Sequence, residues 1–505
     1  MKRIFWGFCF ITCLVLAFSM GIYIQKKGII GKEVVPVIRT NYRAISNYFA
    51  SLKAKPELIR INFKKSEFRK IKKARDIAIK KGLNVDTDAY AKGVLAYKGD
   101  SVKIKAKLKG VIGDHWEDDH KWSLKIKLKK SSPNLPKRFS LILPVARNYI
   151  HEWIFLKLLA LNDIKTPVIN FNELNINGES FGIYILEEDY SVDMFNQTSS
   201  IVCFDKDYFV QSWKYNIDYD FEVGRGSFEA RPISPTEPKV MLKDSILKEN
   251  LQSAITKLEQ LKNKDKKVEE VFDIEKLAKY LAIRAIMGSI EFDPNDNKFY
   301  YNPQTLMLEP IGMEVNRTRD GYVEQWWLNN NDRHKEFRNL FFSSDAFQLA
   351  FYATLSELCT LEWWNNSMNS ISTELENNLA IIYQDNIFFN YDEREFEHNI
   401  QYIRHAFDIQ EDLVNAYIDE VNDSSIKVEI CNIHVLPIHQ IHILVGKEKH
   451  SFPQQFIRAK TTGHYLTIPK HKYDIDTNIK IQYSIVGSKN KITTEVHPWK
   501  RNQVK

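Results

Sequence analysis

Apolar positions along this chain change period several times, and each change predicts a change of element. Glu57 to Phe63 alternates with period two, and so do VLAYKG, VKIKAKLKG and WSLKIKLKK between Gly93 and Lys129. Alternation of this kind predicts strands with one face buried. In the last of them Leu124, Ile126 and Leu128 share one face and Ser123, Lys125, Lys127 and Lys129 the other, so the set reads as an antiparallel sheet with one polar face. Arg138 to Pro144 reads as a further strand. Asn148 to Leu161 has helical spacing, with Ile150, Trp153, Ile154, Leu158 and Leu161 toward a core. VINFNELNI and FGIYILEE flank Asn177-Gly178, a hairpin signal because a tight turn needs positive φ angles there; the hairpin ends in Glu187, Glu188 and Asp189.

Helical periodicity also marks Glu67 to Lys81, Ser245 to Asn263, a segment N-capped by Asp273 that stops at Gly288, Glu336 to Leu358, and Arg394 to Val421. Short strands return between Val428 and Val496 and predict a small C-terminal β-sandwich. Ile4 to Ile24 is uncharged and mostly apolar, long enough for a bilayer core at about 1.5 Å of rise per helical residue. Lys2 and Arg3 precede it, and no small-residue cleavage site follows before Lys26 and Lys27, so it reads as an uncleaved signal anchor. Five cations after the span, Lys26, Lys27, Lys32, Arg39 and Arg43, outnumber the two before it, a count that by itself opposes an outward-facing body. The predicted organisation is an anchor at 1–26, a membrane-proximal connector at 27–55, a β-rich part at 56–190 with one helix against it, a helical part at 191–424 and the β-sandwich at 425–505.

Composition narrows the chemistry. Among 505 residues, 71 basic side chains stand against 64 acidic ones, a net charge of +7, which is too thin an excess to imply nucleic-acid binding. Of five cysteines, Cys9 and Cys13 fall in the apolar run, and Cys203, Cys359 and Cys431 have neither disulfide-framework nor zinc-ligand spacing. Phosphate-loop, nucleophile-elbow and HExxH motifs are absent. Two stretches gather functional groups. Gly113 to His120 is dense in carboxylates and imidazoles, without the fixed spacing of a metal site. Ala282 to Asn316 runs from a helix through the polar turn Asp293 to Asn297 into two short strands that deliver Glu314. Pro294 disfavours helical geometry at Asp293, which places this carboxylate beyond the helix.

In order along the chain, KLKGVIGDHWE, HKWSLKIKLK, RFSLILPVARNYIHEW, LNINGESFGIYILEE and NKFYYNPQTLMLEPIGME resemble the CotH family of atypical kinases, and most of all its branch in bacterial envelopes, over about Val94 to Glu314. The resemblance implies an α+β fold: a kinase-like two-lobed body, here between the N-terminal membrane helix and the C-terminal β-sandwich. It implies ATP and Mg²⁺ as cofactors and phosphate transfer to a protein Ser/Thr or an envelope glycan. Lys127 would meet phosphate, with Lys125 as the alternative on the same face, and Glu152 would hold that lysine. Glu188 falls where the family joins its lobes. Asp293 matches the residue that acts on the acceptor hydroxyl, and Asn297 and Glu314 match metal-binding positions. Glu314 stands where this branch has Asp, one methylene shorter, and Gly312-Met313 replaces another family element. A catalytically inactive scaffold that binds glycan or assembly partners is the second function compatible with these residues. Either way, the expected setting is a single-pass membrane protein with an extracytoplasmic body.

Overall fold

The computed structural model describes residues 35–84, 90–195, 199–204, 231–289, 292, 294, 297–315, 335–408, 413–446, 448–452, 454–470 and 478–497. Seven strands, β1 (Glu57–Phe63), β2 (Ala91–Tyr97), β3 (Asp100–Leu108), β4 (Leu124–Leu128), β5 (Arg138–Ile142), β6 (Ile169–Ile176) and β7 (Glu179–Glu188), form a closed barrel in the order β1-β2-β3-β4-β5-β7-β6. The expected antiparallel sheet is closed on itself. A parallel pair, Glu57–Ile61 against Asn172–Ile176, makes the closure, and closure removes the exposed edges that an open sheet would present. Alternation holds strictly on β4, where Leu124, Ile126 and Leu128 are buried. Asn177 (φ 56°) and Gly178 (φ 91°) make the tight turn between β6 and β7.

Helix α1 (Val35–Ser51) lies where a connector was expected, and α2 (Lys65–Lys81) follows β1. The Asn47 amide donates to the carbonyls of Ile387 and Phe389, and Gln384 donates to those of Ser51 and Ala54, so the end of α1 is seated on the helical part. After β5 the chain makes a short turn at Pro144–Arg147, and Asn148 and Tyr149 adopt positive φ. Helix α3 (His151–Leu161) therefore begins later than its apolar spacing suggested, and Leu161 is half exposed rather than in the core.

The helical part comprises α4 (Ser245–Lys262), α5 (Ile274–Ile286), α6 (Lys335–Phe342), α7 (Asp345–Leu358), α8 (Leu361–Asp385) and α9 (Arg394–Asp408), with a four-stranded sheet made by β8 (Ile201–Phe204), β9 (Ile233–Pro235), β10 (Lys298–Asn302) and β11 (Met307–Pro310). Asp244, Asp273, Ser344 and Thr360 cap four of these helices with side-chain oxygens. The periodicity had not marked α8, because Asn and Ser interrupt its apolar stripe. Helix α9 stops at Asp408 instead of running to Val421. Val414, Ala416 and Ile418 alternate into the core as part of a strand, β12 (Val414–Val421).

The C-terminal strands also differ from the expected two-layer sandwich. β12, β13 (Ser425–Asn432), β14 (Ile438–Val445), β15 (Glu448–Ser451), β16 (Phe456–Ile457), β17 (Thr461–Pro469), β18 (Ile479–Ile485) and β19 (Ile492–His497) join edge to edge in one eight-stranded sheet. The parallel pairing of β12 with β19 makes the join.

Among the described residues no helix is long and apolar enough to cross a membrane. The longest, α8 with 25 residues, carries Asn, Ser and Glu throughout, as a helix buried on one face does. The expected transmembrane helix, attachment through residues 4–24 and single-pass topology are corrected to this extent: the described residues form no such helix. The run Ile4 to Ile24 itself lies outside the described residues. The fold is a mixed α/β architecture of barrel, helical part and C-terminal sheet.

Candidate functional site at the junction of barrel and helices

Register brings one face of the barrel into rows. Lys107, Lys125, Ser140 and Glu187 stand side by side on β3, β4, β5 and β7. One row outward, Lys105, Lys127 and Arg138 do the same. Inward, just past the end of β3, Lys109 shares their parity, and its backbone N–H donates to the carbonyl of Ser123. This face therefore grades from an exposed basic rim to a buried end where the helical part covers it.

At the buried end Arg147 is the hub. It comes from the turn before α3, and its side chain is 3% exposed. Its Nε lies 2.7 Å from Glu152 Oε2 on α3 and 3.1 Å from Glu187 Oε2 on β7, and one terminal nitrogen lies 2.6 Å from Glu314 Oε1. The Nε–H is aimed at Glu187, so Glu152 receives the charge without an aligned hydrogen bond. Lys109 Nζ meets the other oxygen of Glu187 at 3.2 Å. Three carboxylates thus face two cations. Removing one partner from such a buried cluster would leave a charge unpaired, at a cost of about 3–5 kcal/mol.

The electrostatics follow from that imbalance. Burial opposes the Arg147 charge, but Glu152, Glu314 and Glu187 outweigh it and hold the guanidinium firmly protonated. Burial raises the Glu152 pKa, and the Glu187 charge adds to the rise against the pull of Arg147. Glu187 is buried too, yet Lys109 and Arg147 together bring its pKa below the usual range. Three carboxylates share two cations, so Glu152, which has no aligned hydrogen bond, holds its proton more tightly than an ordinary carboxylate does. Nearby, burial pushes His115 down to about 3, assisted by Arg147 and Lys109, and its Nδ1 lies 3.0 Å from Ser123 Oγ. Asp114 is shifted upward by burial, with Glu314 adding to the rise and Arg147 opposing it.

Glu314 is delivered by an extended strap, Ile311 to Val315, whose backbone is fixed from both sides. Gly312 N–H donates to the Lys165 carbonyl at 2.8 Å, and the Tyr190 hydroxyl donates to the Gly312 carbonyl at 3.0 Å. From α5, the fully buried Arg284 donates to the carbonyls of Met313 at 3.1 Å and Glu314 at 2.7 Å. Gly312 is required by close approach: a Cβ there would lie 2.8 Å from Thr166 Cγ2 and 2.9 Å from Leu156 Cδ2.

Of the residues singled out from sequence, Glu152 and Glu314 are brought together, through Arg147. Lys125 instead pairs with Asp189 at 2.8 Å. Lys127 is exposed, and Arg138 above all lowers its proton affinity, followed by partial burial and Lys105. Glu188 points away from its neighbour Glu187 and accepts from the Val168 N–H at 3.3 Å; burial raises its pKa. Asn297 is buried, and its side-chain oxygen accepts from the Tyr280 hydroxyl at 3.1 Å. Asp293 lies outside the described residues. Lys109, Arg147 and Arg284 were not singled out by sequence reasoning, and Glu187 was named only as part of the acidic end of the hairpin. Lys109 shares the parity of Lys105 and Lys107, and Arg147 and Arg284 interrupt the apolar runs LPVARNYI and LAIRAIMG, the one signal that pointed to them.

As arranged, the described donors do not fit a metal ion. Glu314 is clamped by Arg147, the Asn297 oxygen is engaged by Tyr280, and among the described residues no group of three His, Cys, Asp or Glu side chains is placed to hold a metal ion.

A barrel with a graded polar face, a helical part, and a buried ion cluster where the two meet define a two-part α/β protein whose junction is built for charge. Residues 111–406 match the family model described as CotH kinase protein, more than half of the chain, and the chain belongs to that family. The match begins later than the resemblance read from sequence and extends through most of the helical part, to within α9. No curated protein matches the chain.

Proposed function

We propose that the protein binds a nucleotide, ATP, at the buried end of the polar face and transfers its terminal phosphate to a hydroxyl-bearing acceptor. The observation that carries the reading is the Arg147 hub, which ties α3, β7 and the Glu314 strap together within a CotH kinase domain. In this reading Lys109 and Arg147 face the polyphosphate, and Glu187 and Glu152 hold them in place. Asp293 orients the acceptor hydroxyl and takes its proton. The resemblance assigns Mg²⁺ to Asn297 and Glu314, but these donors, engaged by Tyr280 and Arg147, do not fit it. Because Arg147 occupies Glu314, no step is routed through the metal. The resemblance to the envelope-type branch rests on the ordered motif series as a whole and belongs to this proposal as well.

Calorimetric titration of the full chain with ATP, with and without Mg²⁺, tests the reading. ATP binding that Glu314→Ala changes at least about tenfold, with phosphate transfer lost in Asp293→Asn while binding persists, is the expected result. Unchanged transfer in Asp293→Asn overturns its role. The Arg147–Glu314 pair also favours a second reading, a scaffold without catalysis, because it engages the carboxylate assigned to metal. A folded sample that binds no nucleotide in either condition makes that reading the better one.

A further inference from the structure

The outer rim of the polar face carries more positive charge than the ion cluster uses. Lys92 on β2, Lys105 on β3, Lys127 on β4 and Arg138 on β5 stand in register across four neighbouring strands. Lys92, Lys105 and Lys127 are exposed. Of the four, Arg138 has a carboxylate partner, Glu237 at 2.6 Å; no ion pair joins the three lysines to a described carboxylate, and Glu67 meets Lys92 through its backbone N–H at 2.6 Å. Like charges placed directly opposite one another destabilise a sheet. The cost shows at Lys127, whose proton affinity is lowered first by Arg138 and also by Lys105 and Lys137. A surface selected for solubility alone has no need of such a row.

We propose that this rim is a docking surface for an extended acidic polypeptide. The row crosses the strands at about 4.8 Å per step, and along β3 and β4 the lysines recur at every second residue, about 7 Å apart. An extended peptide with Asp or Glu at alternate positions presents carboxylates to one side at that same repeat. Laid along β3 and β4, it meets Lys103 and Lys105 from one strand and Lys127 and Lys129 from the next. Lysine ammonium groups act as mobile point charges rather than fixed forks, which suits a partner defined by charge spacing more than by a single bidentate contact. The barrel is closed, so the peptide adds no strand to it and is held by side chains. Resting on the kinase reading, the docked segment is the part of the acceptor that carries the hydroxyl toward the buried end of the same face; the docking itself does not depend on nucleotide.

Fluorescence anisotropy tests it, with the full chain, no nucleotide, and a short labelled peptide alternating Glu and Ser. The comparison peptide alternates Gln and Ser. The expected outcome is binding of the Glu peptide alone, weakened about tenfold by Lys92→Gln with Lys105→Gln and again by Lys127→Gln, and reduced by salt. Lys480→Gln, on the C-terminal sheet, leaves it unchanged. Equal binding of the two peptides, or equal loss with Lys480→Gln, overturns the proposal. So does inorganic polyphosphate that binds where the peptide fails to, which would make the partner a phosphate polymer. ATP titration of the native chain, set beside its peptide binding, separates the two readings. Peptide binding without ATP binding overturns the kinase reading alone, and ATP binding without peptide binding overturns the docking alone.

Discussion

His115 is the residue whose chemistry the fold alters in the most measurable way. Buried beside Arg147 and Lys109, it stays neutral until about pH 3, whereas its ordinary value is 6.5. Between those values the unfolded chain binds a proton that the folded chain does not, so stability rises with pH across the window and is lost on acidification from 6.5 toward 3. The slope from this residue is at most about 1.4 kcal/mol per pH unit. Urea unfolding across that range should show a steeper fall for the native protein than for His115→Gln, in which an amide replaces the ring beside Ser123. An identical slope in the two would show that the acid sensitivity lies elsewhere. The same crowding sets two carboxylates apart: burial raises Glu152, whereas Lys109 and Arg147 together hold Glu187 below its usual range.

Among the elements, the strap from Ile311 to Val315 couples the two halves of the site. It has no regular structure of its own, and its position comes from Lys165, Tyr190 and Arg284, which belong to three different segments. A methyl group on Gly312 would press on Thr166, Leu156 and Leu159, at 2.8 to 3.0 Å. Overpacking of this kind costs about 1–3 kcal/mol. Gly312→Ala should therefore lower the urea midpoint and displace Glu314 from Arg147, and under the proposed nucleotide reading it changes ATP affinity although residue 312 contributes no side-chain group to the ion cluster. Native ATP affinity in a destabilised Gly312→Ala protein would show that the strap does not set the site.

For the whole molecule, burial is continuous from the barrel through the helices to the C-terminal sheet. The Ser356 hydroxyl donates to the Gly487 carbonyl at 2.7 Å, and Arg458 reaches Asp345 at 2.7 Å, so the sheet is seated on α7. Cutting the chain after Asp408 would uncover the Phe407 ring on α9, whose Cε1 lies 3.2 Å from a Cβ placed at Gly487, together with Ser356 Cβ and the Tyr352 carbonyl on α7. Such a patch favours association. Size-exclusion chromatography of residues 1–408 should show aggregation that the full chain does not; a monodisperse product with the native melting temperature would show that the sheet is dispensable to the body.

Local patterns were decided by the sequence alone. Period-two alternation marked β1 and β4, Asn177-Gly178 marked the turn between β6 and β7, Asp273 capped α5, and the ordered motifs carried the CotH resemblance. Each of these depends on neighbours in the chain, where side-chain periodicity and turn chemistry act directly. Closure of the barrel, the single C-terminal sheet and the end of α9 depended on pairings between distant segments, which no local period encodes. The ion cluster is of the same kind. Arg147, Lys109, Glu187 and Glu314 come from four separate places, and each alone reads as an ordinary charged residue. Their protonation states exist once the fold excludes water and leaves three carboxylates to share two cations, and for that reason tertiary structure alone placed Arg147, and not Lys127, beside Glu152.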